Sequence, residues 1–166
     1  MRLFLIITAL CVFLAAAAPA QTSPPGYTQF DIAQQAKLRA DLGTWHCVSV
    51  PAPTTPFSFT ETEQGNWFVT REMGDNPATS YERWSHSRKA YVLVTIFDSG
   101  ASNVAQTTSV DPDNGTWTPM WPALDNQGRK RFDNQVSRTG DALRSSGHFY
   151  DGKGNVQTSS SVCTKQ

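Results

Sequence analysis

From residue 28 onward, the rhythm of apolar and polar residues changes once, at Gly43. Upstream, over residues 28–42, Phe30, Ala33, Ala36 and Ala40 recur at three- and four-residue spacing, with Leu42 following, the pattern of a short helix with one apolar face. Thr28 is suited to cap it, Asp31 puts negative charge in its first turn, and Gly43 ends it. Downstream, β-branched and aromatic residues take over, and turn signals return about every ten residues. Strands are predicted at 44–50, 57–62, 67–73, 80–86, 90–98, 104–110, 116–120, 131–138, 142–150 and 155–163. Their separators, such as Gly65-Asn66, Asp111-Pro112-Asp113-Asn114-Gly115 and Gly152-Lys153-Gly154, favour tight turns. Consecutive strands with short links predict an all-β antiparallel meander with a short N-terminal helix. Such a meander most simply closes into an up-and-down barrel of about ten strands, and a two-sheet sandwich is the alternative.

Alternation assigns residues to faces. Trp45 and Cys47 share one, as do Phe57 and Phe59, and as do Trp67, Val69, Arg71 and Met73. Along 90–97 both parities are apolar, so that strand is expected to be covered on both sides, with the N-terminal helix as one cover. The segment Gln157-Thr158-Ser159-Ser160-Ser161 is polar on both parities, so it must face water or a wet lumen on at least one side.

The first twenty residues follow a different logic. Met1-Arg2 is a short basic head, residues 3–14 form an apolar run, and Ala18-Pro19-Ala20 fits a small-residue cleavage site. This is the form of a secretory signal peptide cut after Ala20, and the apolar run is too short to span a bilayer, which needs about 20 residues. The expected product is periplasmic or secreted, with residues 21–27 as a loose arm and 28–166 as one domain. The whole chain carries 14 basic and 14 acidic residues, with no basic face of the kind a nucleic-acid binder shows. The cluster Arg129-Lys130-Arg131 beside Asn126-Gln127-Gly128 reads as a solvated turn. No later stretch is long enough to cross a membrane. Cys47 and Cys163 remain after cleavage, and an even pair in an exported chain predicts a disulfide, with two free thiols as the alternative.

At Leu42-Gly43-Thr44-Trp45 the chain resembles the calycin superfamily, which includes the lipocalins. There a Gly-x-Trp opens the first barrel strand after a short helix. The resemblance implies a barrel with Gly43 and Trp45 at its closed end. Gly43-Thr44-Trp45-His46-Cys47, the segment from Asp111 to Trp117, and Cys163-Thr164-Lys165 also resemble exported bacterial lipocalin-like domains of unknown function. The chain departs from true lipocalins in lacking an evident C-terminal helix. Where fatty-acid-binding proteins carry a helical lid after the first strand, it has Pro51-Ala52-Pro53-Thr54-Thr55-Pro56.

Candidate chemistry is sparse. His46, His86 and His148 fall on three separate predicted strands and read as unrelated residues, so no metal and no cofactor is predicted. No sequence pattern of a hydrolase elbow, a zinc protease or a phosphate loop occurs, and no catalytic set is identified. Asn114-Gly115-Thr116 is read as a turn. Arg71 and Arg83 are the candidates to offer a lumen cation to a carboxylate ligand. The alternative is that they face water or pair with Glu72 or Glu82. Trp84, Tyr91, Trp117 and Trp121 are the aromatic candidates for ligand contact. The leading expectation is non-catalytic binding of a small, mostly apolar ligand. The second is a protein-binding module, such as a periplasmic protease inhibitor acting through residues 21–27, and an enzyme is the third.

Overall fold

The computed structural model describes residues 25–50, 56–120, 132–150 and 155–166. The predicted leader, most of the arm, Trp121 and the Arg129-Lys130-Arg131 cluster lie outside them.

The chain enters through helix α1 (Gln29–Lys37), which continues as a 3-10 turn over Leu38–Asp41. Thr28 caps α1 reciprocally with Asp31. The Thr28 hydroxyl accepts from the Asp31 N–H, and the Asp31 carboxylate accepts from the Thr28 N–H. Ten strands follow. They are β1 (Gly43–Val50), β2 (Phe57–Gln64), β3 (Trp67–Met73), β4 (Ala78–Ser85) and β5 (Ala90–Phe97), then β6 (Ser102–Thr107), β7 (Gly115–Pro119), β8 (Phe132–Thr139), β9 (Ala142–Tyr150) and β10 (Val156–Lys165). Each pairs antiparallel with its sequence neighbour, and β1 pairs with β10, so the sheet is a closed barrel. The sandwich alternative is thereby excluded.

In the β1–β10 ladder Cys47 stands directly opposite Cys163, and the two form the disulfide. The bond is buried with Trp45, against Phe57, Phe59 and Leu143. Gly43 sits at φ +120°, a left-handed conformation that favours glycine, and a Cβ there would lie 3.2 Å from Lys165 Cε. Trp45 is fully buried beside it. Its Nε1 donates to the Asp41 carbonyl at 2.8 Å, and the Arg138 guanidinium lies 4.8 Å over its ring.

The helical segment stops up this end of the barrel. Leu38 is buried among Phe68, Trp84, Tyr91, Ala105 and Trp117. This placement corrects the expectation for β5. The helix covers the end of the barrel, not the outer side of that strand, and Ile96 is 47% exposed. Strand ends move by a few residues from expectation. The sixth strand stops at Thr107, and a 3-10 turn follows over Pro112–Asn114, capped by Asp111, whose carboxylate accepts from Asp113 N at 3.0 Å.

Candidate functional site

Barrel geometry puts alternate residues inside, and the observed register says which. Phe68, buried in the core, fixes the inner parity of β3, so Thr70 and Glu72 point inward with it. Trp84 does the same for β4, bringing Ser80 and Glu82 inside. Arg71 and Arg83 therefore take the outer face. Arg71 Nη1 donates to Thr79 Oγ1 at 2.8 Å in an exposed pair. Arg83 lies 5.0 Å over the Trp67 ring and donates to the Tyr27 hydroxyl at 3.2 Å. Neither lines the lumen, and the pairing considered for them with Glu72 or Glu82 is also not made.

The other candidates divide. Trp84 and Tyr91 belong to the plug beneath the helix. Trp84 Nε1 donates to Asp31 Oδ1 at 2.7 Å, and the Tyr91 hydroxyl donates to Gln34 Oε1 at 2.8 Å. Trp117 lines the innermost cavity, and Trp121 lies outside the described residues. The three histidines stay apart. His46 is exposed, His86 Nδ1 contacts Asp31 at 2.7 Å, and His148 Nδ1 contacts Asp133 at 2.8 Å.

Beyond the plug the lumen is not filled. Three adjoining cavities of about 370, 240 and 170 Å³ share Leu93 and Asn134 in their linings. The outermost and largest is walled by Phe57, Leu93 and Phe97 on its apolar side, and by Glu72, Thr95 and Asn103 among its polar groups. Ser159 and Ser161 of the polar last strand face the same cavity, with Ser161 Oγ 2.8 Å from Ser145 Oγ. One side of that strand faces the lumen cavity.

One row of this wall is continuous. Glu61 stands opposite Thr70, Thr70 opposite Ser80, Ser80 opposite Thr95, and Thr95 opposite Asn103. Five adjacent strands thus contribute one polar inward residue each. The Thr70 hydroxyl donates to Glu61 Oε2 at 3.1 Å, and Ser80 and Thr95 share a hydrogen bond of 2.9 Å. Glu82 lies one row towards the plug, between Phe68 and Leu93, and Glu72 one row towards the mouth, between Phe59 and Ala78.

Burial raises all three carboxyls. Glu61 is pushed up to about 7, first by burial, with the Asp113 charge adding and the Thr70 hydrogen bond and Lys165 opposing. Glu82 is held well above the usual carboxylate range by burial, with Glu61 and Asp113 adding. Glu72 is raised by burial alone. Two acceptors in this wall, Glu82 Oε1 and Asn103 Oδ1, are buried with no hydrogen-bond partner among the described residues. Sequence reasoning names Glu72 and Glu82 only as partners for the arginines and does not single out Glu61 or Asn103. The signal that points to them is parity counted from Phe68 and Trp84.

No family model and no curated protein matches the chain. Among solved structures it is similar to Rv2717c from M. tuberculosis. The TM-score is 0.58, over 81% of this chain and 97% of that one, at 20% sequence identity. A likeness at that identity is one of fold. It agrees with a ten-stranded closed barrel and adds nothing about the site.

Proposed function

We propose that this protein is an exported lipocalin-like barrel of the calycin superfamily that binds a small organic ligand in its lumen without chemistry. The observation that carries the reading is the unfilled lumen. Small barrels otherwise fill their interior with side chains. Here one end is plugged by Leu38, Trp84 and Tyr91, while cavity space runs from Trp117 outward. Superfamily membership is supported by Gly43 and Trp45 opening β1 after a helix, with Trp45 buried under Arg138. Export is supported by the leader-like first twenty residues and by the disulfide, which persists in oxidising compartments. The apolar body of the ligand rests on Phe57, Leu93 and Phe97.

The test is titration with a neutral fluorescent lipophile, N-phenyl-1-naphthylamine, read by its emission and by quenching of the protein's tryptophans. Saturable binding is expected, and Leu93→Trp, which fills the space common to all three cavities, abolishes it while the thermal unfolding transition is kept. Binding that survives in the filled variant, or none in the wild type, overturns the reading.

A further inference from the structure

The wall described above is unusual for a lumen expected to hold something apolar. Glu61, Glu72 and Glu82 all line the cavities, on three adjacent strands. The cations that reach this interior are occupied. Arg138 pairs with Asp41 and Asp113, and Lys165 Nζ donates to the Ala40 carbonyl at 3.1 Å and lies over the Trp45 ring. The described residues form no ion pair with Glu61, Glu72 or Glu82. The two arginines carried by these strands, Arg71 and Arg83, point the other way.

An unpaired carboxylate in such a place is costly, because burial strips its hydration and gives nothing back. The cost falls on the acceptor side of the wall. Glu82 Oε1 and Asn103 Oδ1 are buried without a donor, and Glu82 lies in a row flanked by Phe68 and Leu93. The cavity therefore presents acceptors in want of hydrogen-bond donors, three carboxyls whose ionisation burial opposes until a cation faces them, and an apolar surface from Phe57, Phe59 and Leu93 beside them. The described residues contain no group of three ligating side chains that could hold a metal ion. An ammonium group on an organic body has the matching chemistry: three donors, one positive charge, and an attached apolar part.

We propose that the lumen selects a ligand carrying a protonated amine, its ammonium on the Glu61–Glu72–Glu82 wall and its apolar body against Phe57, Phe59 and Leu93. This deepens the ligand-binding reading and rests on it. Burial of the three carboxyls supports it, since a bound cation restores what desolvation removes.

A matched trio of probes tests it by calorimetry at pH 8: 2-phenylethylammonium, 2-phenylethanol and 3-phenylpropanoate. The ammonium is expected to bind at least tenfold more tightly than the alcohol, and the carboxylate most weakly. Glu82→Gln and Glu72→Gln keep shape while removing charge and replacing one acceptor oxygen by an N–H donor. Each is expected to cut the ammonium's advantage severalfold and leave the alcohol's affinity unchanged. Two variants are used so that a folding defect in one does not decide the matter. If the alcohol equals or exceeds the ammonium, or if the advantage persists in both variants, the cation assignment fails and lumen binding stands. If none of the three binds while N-phenyl-1-naphthylamine still does, the cation assignment fails alone; if N-phenyl-1-naphthylamine fails as well, the ligand-binding reading falls and takes the cation assignment with it.

Discussion

Removing the Cys47–Cys163 bond isolates the contribution of covalent closure. The two cysteines are 116 residues apart in sequence. In the chain-entropy relation, a loop of that length removes about 4.9 kcal/mol of unfolded-state freedom at 25 °C. A domain of this size has only about 5–15 kcal/mol in total, so the bond accounts for a large share. The native strands stay paired without it, because the β1–β10 ladder holds six residue pairs from Trp45↔Lys165 to Val50↔Ser160. The Cys47→Ala/Cys163→Ala variant should therefore fold to the same barrel with lower stability. Reversible urea unfolding is the assay, extrapolated to water and run beside wild type in oxidising and reducing buffer. A loss of about 3–5 kcal/mol is expected, and reduced wild type should approach the double variant. A loss below about 1 kcal/mol, with two-state unfolding in both proteins, would refute the reasoning that closure acts through the unfolded chain.

Three further perturbations address the plug and the lumen. Leu38→Ala removes the buried residue that seats the helical segment on Phe68, Trp84 and Tyr91; it should cost about 2–5 kcal/mol in urea unfolding, and a cost under about 1 kcal/mol would mean the plug is not packed as described. Asp31 is buried, which by itself opposes ionisation, but hydrogen bonds from Thr28, Trp84 and His86 outweigh this and hold its carboxyl well below the usual range. Its contribution is thus present above the ordinary value of 3.8 and lost as pH falls through the lowered one; Asp31→Asn should lower the melting temperature at pH 7 and narrow the gap to wild type in strong acid, and a constant gap would contradict it. Glu61 behaves in the opposite sense: its folded value of about 7 lies above the ordinary 4.5, so its folded state binds a proton more tightly and stability falls as pH rises from 4.5 to 7. Glu61→Gln should gain on wild type across that window by up to about 3 kcal/mol, measured by urea unfolding at pH 4 and pH 8, and an equal difference at both pH values would count against a buried carboxyl.

The fold was readable because its signals are local. Turn residues at regular intervals delimit strands, Thr28 and Asp31 form the expected cap, and the distant Cys47 and Cys163 meet because consecutive hairpins leave only the first and last strands to pair. The site was not readable by the same means, because alternation gives two faces without saying which is inner. On β3 the more hydrophobic set, Trp67, Val69 and Met73, lies outside, where Trp67 packs edge-on against Tyr81 and under Arg83. The inner set is Phe68, Thr70 and Glu72. A barrel whose lumen is lined by polar residues inverts the usual rule at such strands, and only contact with a residue of known burial resolves the parity. Gly43 and Trp45 stand at the start of β1, with Trp45 bonded to Asp41 of the helical segment.

The most direct test of the account is a crystal structure of the protein with 2-phenylethylammonium bound. The account predicts the phenyl ring against Phe57, Phe59 and Leu93, with the ammonium nitrogen within hydrogen-bond distance of a carboxylate of Glu61, Glu72 or Glu82. A lumen holding only water, with the probe absent or seated on the outer face of the barrel at probe concentrations that saturate in solution, would contradict it.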